Sequence, residues 1–185
     1  MRKFVATLSL LLLLSPPAWG LEVAGVNVPP TVSVGGKALD LNGAGVRKKF
    51  FFKVYVGALY TEKHVSTTDE LLRDPGEKAV RMHFVHKKVE KEKIVEAFAE
   101  GLASNAPETA RSANAGTFLS WFRSDFVAGD TVGIDVSPDG ALSASHNGKA
   151  LGTLHDPALA RAVLLIWFGE KPADAGLKKG MLGQG

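Results

Sequence analysis

The order of patterns along the chain predicts an α+β domain, an antiparallel sheet layered with helices. Three observations carry this. Runs of β-branched and aromatic residues dominate residues 21–61, and helical periodicity takes over near residue 87. Short alternating runs separated by turn residues return from Asp130, before two closing helical segments. With no internal repeat or long linker between these blocks, one layered domain of about 165 residues is expected.

The chain opens with Arg2 and Lys3, an apolar stretch from Phe4 to Leu14, and Ala18-Trp19-Gly20 as a small-x-small cleavage site. That is the pattern of a secretory signal, with residues 1–20 removed and a domain spanning 21–185. The apolar run stops at Ser15-Pro16-Pro17, short of the roughly 20 residues a spanning helix needs. The expectation is export, to the periplasm, with no membrane span in the mature chain. The full chain has 22 basic and 19 acidic residues. Removal of Arg2 and Lys3 leaves 20 against 19, too even a balance to recruit nucleic acid. The absence of cysteine rules out disulfides and thiol catalysis.

Residues 21–28 read as a first edge strand ending at Pro29-Pro30, and Thr31–Val34 as another that turns at Gly35-Gly36. One long strand then covers residues 42–60. Its even face, Phe50, Phe52, Val54, Val56, Ala58 and Tyr60, reads as core. Residues 66–73 suit a short helix capped by Thr67 or Thr68 and stopped by Asp74-Pro75-Gly76. Residues 79–86 return to a strand on which His83 and His86 face opposite ways.

From residue 87 to 105, Ile94, Phe98 and Leu102 repeat at helical spacing, and the charged run HKKVEKEK reads as a solvated helix start. Pro107 opens a second helix with Phe118, Trp121, Phe122 and Asp125 as its stripe. Thr131–Val136, 142–146 and 150–154 read as strands, with a hairpin at Asn147-Gly148. Asp156-Pro157 starts a helix whose Leu159, Ala162, Val163, Ile166 and Trp167 face the sheet, and Gly169 ends it. A short terminal helix covers 176–182.

Most chemistry leaves no trace. No G-x-S-x-G elbow, phosphate loop or dinucleotide fingerprint is present. Five histidines form no ligand cluster, so neither metal nor cofactor is expected. What stands out is the odd face of the long strand, where Arg47 and Tyr55 lie among apolar residues. A cation and a phenol on an apolar face could hold an amphiphilic anion. A solvated sheet face with snorkelling lysines fits the same pattern.

The stretch Gly43-Ala44-Gly45-Val46-Arg47, followed by Lys53-Val54-Tyr55-Val56-Gly57-Ala58-Leu59-Tyr60, resembles the chalcone isomerase-like family. That family shares a glycine-rich turn, an arginine after it and a KVY-type strand. The similarity extends through ALARAVLLIWFGEKPADAGLKKGML. It implies an open-faced β-sandwich that holds a ligand between sheet and helices.

It also implies one of two activities. Plant enzymes of the family close a chalcone to a flavanone, with the arginine stabilising developing charge. Other members bind fatty acids, with an arginine and a tyrosine on the carboxylate. Arg47 matches the arginine of both. Tyr55 matches the tyrosine of the fatty-acid binders, where the plant enzymes have threonine. The plant enzymes' remaining polar positions fall at Lys91, Phe98 and Ala160, which leaves little of a catalytic relay. Phe98 and Ala160 would instead enlarge an apolar wall.

The resemblance thus implies a non-catalytic binder of a fatty acid or similar amphiphilic carboxylate. A chalcone isomerase-type intramolecular lyase is the alternative, and an interaction protein with a filled cleft the third. Geometry sets a condition. On one straight strand Arg47 and Tyr55 stand roughly 26 Å apart, so they share a ligand only if the chain turns or bends between Lys48 and Lys53.

Overall fold

The computed structural model describes residues 20–185; the expected leader, apart from Gly20, lies outside them. The described residues form eleven strands and six helices. β1 (Leu21–Val23) and β2 (Val26–Val28) make a two-stranded ribbon. β3 (Thr31–Val34), β4 (Lys37–Lys49), β5 (Phe52–Thr61) and β6 (Lys78–Phe84) belong to the main sheet. β7 (Lys88–Val89) pairs with β8 (Phe126–Val127) as a separate short ladder. β9 (Thr131–Val136), β10 (Ala141–His146) and β11 (Lys149–His155) complete the main sheet, ordered β11-β10-β9-β6-β5-β4-β3. Every neighbouring pair in it is antiparallel.

The helices are α1 (Thr68–Arg73), α2 (Lys91–Asn105), α3 (Pro107–Ala110), α4 (Ala113–Leu119), α5 (Pro157–Phe168) and α6 (Ala175–Met181). Their starts follow from capping chemistry. Thr67 and Glu70 form a reciprocal capping box on α1. Asp156 and Asp174 accept from the backbone N–H groups of Leu159 and Leu177 to cap α5 and α6. None of the described helices is long and apolar enough to cross a membrane.

Two cores lie on the two faces of the sheet. The larger holds Tyr55, Leu59, Met82 and Phe84 against Ile94, Phe98, Phe118, Val163 and Trp167 from the helices. Trp167 is fully buried there; truncating such a side chain to alanine costs about 3–5 kcal/mol. The smaller holds Val28, Val34, Leu39, Val56, Ala58, Tyr60 and Ala79, with Val23 and Val26 of the ribbon packed on it. The Tyr60 hydroxyl donates to the Pro29 carbonyl at 2.9 Å, pinning the chain beside that ribbon. The α+β class holds, with antiparallel strands layered against helices.

Several expectations need correction. The first edge strand is instead the β1–β2 ribbon, broken at Ala24-Gly25, where both residues have positive φ. The single strand over 42–60 is two strands joined by a two-residue turn at Phe50-Phe51, with Lys49 opposite Phe52. Phe50 takes φ 54°, a left-handed conformation unusual for a bulky residue, so no glycine announced the turn. Phe50 and Phe52 are therefore exposed rather than core, while Val56, Ala58 and Tyr60 are buried as expected.

Gly43 and Gly45 sit inside β4 and not in a turn. A Cβ on Gly45 would meet the Leu177 carbonyl oxygen at 3.0 Å, and one on Gly43 would run into the Gly180 carbonyl. These glycines exist for the close approach of α6 to the strand. The charged run before α2 is in part strand, since Lys88 and Val89 pair with Val127 and Phe126. The second helix divides into α3 and α4, and Trp121 and Phe122 follow it, buried against Phe118.

Candidate functional site: an apolar cavity with a cation and a phenol

The turn at Phe50-Phe51 folds β5 back on β4 so that Arg47 and Tyr55 become direct cross-strand partners. Such partners have Cβ atoms about 4.5–5.5 Å apart, in place of the 26 Å of a straight strand. Next to them the register slips by one residue: Arg47 faces Tyr55, Lys48 faces Lys53, and Val54 is left over as a β-bulge. The bulge turns Val54 and Tyr55 toward one space, and both line the same cavity. The Val54 carbonyl accepts from the backbone N–H groups of Val85 and His86 at 3.0 and 3.2 Å, fixing the rim beyond β6.

That cavity has a volume of about 410 Å³, inside the roughly 300–1,000 Å³ range of small-ligand sites. Its inner wall is apolar, with Ile94, Ala97 and Phe98 of α2, Ile166 of α5, and Val89 and Ala173. Phe98 is held edge-on to Trp167 and Phe122 at 5.6 and 5.2 Å between ring centres, a favourable aromatic packing for this wall. The mouth carries Lys49, Phe50, Phe52, His86, Lys88, Glu90 and Lys93. Lys88 and Lys93 are already paired, with Asp125 at 2.9 Å and Glu96 at 3.0 Å. The cleft is therefore not filled by its own side chains.

Tyr55 is buried, and its oxygen accepts a hydrogen bond from the Trp167 indole N–H at 3.0 Å. Among the described residues its own proton has no acceptor, so the hydroxyl of this cavity-lining residue is left as a donor. Burial pushes the phenol up to about 12, against the pull of the Trp167 hydrogen bond and the Arg47 charge. At neutral pH it is a fixed donor and a poor general base.

Arg47 gives one N–H to the Lys48 carbonyl at 2.8 Å and lies 3.9 Å from the Asp174 carboxylate. A guanidinium has five N–H donors in a fixed fork, so donors remain for a carboxylate in the cavity. Asp174 also accepts from the Lys48 backbone N–H at 3.1 Å. Its place beside Arg47 depends on α6 lying close on the glycines of β4.

Both expected site residues, Arg47 and Tyr55, thus meet in one cavity. Phe98 forms part of the apolar wall as expected. Ala160 does not: it is buried in the core and borders a separate depression beside Pro138 and Leu164. Lys91 lies in the first turn of α2, 3.7 Å from Glu92, and is not a lining residue. Trp167 and Asp174 join the site without having been expected there. Signals for them existed, since a buried indole N–H must find an acceptor and Asp174-Ala175-Gly176 is a helix-start pattern. Among the described residues no three His, Asp or Glu side chains are grouped to hold a metal ion.

The described residues thus form an antiparallel sheet with helices on one face, an α+β fold in which an apolar cavity between sheet and helices brings together the Arg47 cation and the Tyr55 phenol. The chain belongs to the chalcone isomerase-like family, whose sequence profile matches residues 20–183. A solved structure with the same fold is that of a fatty-acid-binding protein from Arabidopsis thaliana. It superimposes with a TM-score of 0.70 at 21% identity, covering 85% of this chain and 92% of that one. No curated protein matches the sequence.

Proposed function

We propose that this protein is an exported, non-catalytic binder of a fatty acid or similar amphiphilic carboxylate, with residues 1–20 as its leader. The carrying observation is the free Tyr55 hydroxyl proton beside Arg47 at the polar end of an apolar cavity. A carboxylate bridging the two gains charge-assisted hydrogen bonds of about 1.5–3 kcal/mol each. Its alkyl chain lies along Ile94, Phe98 and Ile166. The Arabidopsis protein of the same fold binds fatty acid, which supports the reading.

The lyase alternative has less support, because Phe98 presents only an aromatic ring to the cavity and Ala160 lies outside it. Native mass spectrometry of protein purified from its own cell envelope tests the proposal, and Arg47→Gln is the control. A co-purifying carboxylate that is lost in Arg47→Gln is the expected result. Absence of any bound lipid, together with a melting temperature indifferent to added fatty acid, overturns it. Chalcone turnover that vanishes in Arg47→Gln would install the lyase reading instead.

A further inference from the structure

Among the described residues the exposed aromatic side chains are three in a row: Phe50, Phe51 and Phe52, at 85, 99 and 61% exposure. They form the apex of the β4–β5 hairpin. Folding gives no reason for them. A two-residue turn with positive φ at its first position alone selects glycine there, yet Phe50 occupies that position with φ 54°. Nor does the cavity account for all three. Phe50 and Phe52 border its mouth, and Phe52 meets the His86 ring at 5.5 Å, but Phe51 does not line it.

The charges behind the apex are ordered. Lys48 and Lys53 face one another across the hairpin, Lys49 lies opposite Phe52, and all three are exposed. Exposed Lys87 follows His86 on the adjoining segment. Among the described residues none of these four is in an ion pair, unlike Lys88 and Lys93. Nearby acids are Glu90 on the cavity rim and Asp174 beside Arg47.

We propose that this hairpin tip docks the protein on an anionic phospholipid bilayer. Apolar rings at the apex and lysines one residue behind them match the order of a bilayer, acyl chains beneath anionic headgroups. Phe51 enters the interfacial layer with the outer edges of Phe50 and Phe52, and the lysines meet phosphates. Docking rests on the tip alone. Its consequence, that the cavity mouth bordered by Lys49, Phe50 and Phe52 opens against lipid, rests on the proposed ligand reading.

The test uses protein beginning at Gly20, which keeps every strand and helix of the described residues and omits the apolar Phe4–Leu14 run. Co-sedimentation with phosphatidylglycerol/phosphatidylcholine vesicles is compared with pure phosphatidylcholine. The expected result is binding to the anionic vesicles that weakens in about 0.5 M salt. Phe51→Ser lowers it about ten-fold. Lys48→Gln with Lys53→Gln lowers it about 25-fold, at roughly five-fold for each lysine.

None of these positions lines the cavity, so fatty-acid binding stays unchanged in the variants, and Arg47→Gln leaves vesicle binding unchanged. The two readings therefore fail separately. Since the chain has no cysteine, Phe51→Cys carries a single environment-sensitive dye, whose emission shifts blue on vesicles and is quenched from within the acyl layer. Vesicle binding that is absent, or indifferent to these substitutions, overturns the proposal. So does a dimer in sedimentation equilibrium that Phe51→Ser dissolves, since the tip's occupant is then a second copy.

Discussion

Tyr55→Phe isolates the polar end of the cavity by removing one hydroxyl and almost no volume. In the free protein it strands the Trp167 indole N–H, which otherwise donates to the Tyr55 oxygen at 3.0 Å in a buried setting. A stranded buried donor costs about 1–3 kcal/mol. In a domain of this size that is roughly a 2–10 °C fall in melting temperature. In the complex the variant also loses one charge-assisted hydrogen bond to the carboxylate. That is about 1.5–3 kcal/mol, or a Kd raised about 10–150-fold. Fluorescence displacement of a bound fatty-acid probe measures the second effect, and thermal melting without ligand measures the first. A methyl ester of the same acid supplies the control, since its affinity starts lower and falls less. Should Tyr55→Phe bind the acid as tightly as the parent protein while melting at a lower temperature, Tyr55 is structural and the carboxylate lies elsewhere.

Asp174→Asn removes the anion 3.9 Å from Arg47 while keeping an acceptor for the Leu177 N–H, because asparagine also caps helices well. Titration calorimetry should show carboxylate affinity rising about five-fold, as for release of a partly exposed ion pair; weaker binding would mean that Asp174 orients Arg47 rather than competing for it. Alkaline pH provides a test independent of ligand. Burial raises both Tyr55 and Tyr60 from the ordinary phenol value to about 12. Their contribution to stability is therefore complete below pH 10 and is lost as pH rises from there through 12. For the buried Tyr55 phenol the loss is about 2–3 kcal/mol. Ultraviolet titration of the folded protein should show little tyrosinate at about pH 10.5, between the ordinary and the raised phenol values; ordinary titration near pH 10 would place both phenols in solvent.

Much of this architecture was legible from local chemistry. The α1 capping box at Thr67 and Glu70, the turn at Asn147-Gly148 and the start at Asp156-Pro157 are fixed by residues within four positions of one another. The apolar spacing of Ile94, Phe98 and Leu102 identified the face that α2 buries, because helical periodicity does not depend on the partner. Arg47 and Tyr55 were recognisable as a cation and a phenol of one strand face, in a stretch with a family resemblance.

Their meeting was not legible. It depends on a turn made by Phe50 in a left-handed conformation, where the sequence has neither glycine nor proline, and on a one-residue bulge at Val54. Local propensity argues against both, and pairing along the whole of β4 and β5 overrides it. Gly43 and Gly45 read as turn formers until α6, over 130 residues away in sequence, is seen pressed against them. The same packing brings Asp174 to Arg47, and α5 brings the Trp167 N–H to Tyr55. Sequence alone determined the elements and which side chains carry charge or a phenol, because those follow from residues close along the chain. Tertiary structure decided which of them share a cavity, because contacts between distant segments are set by how closely backbones can pack.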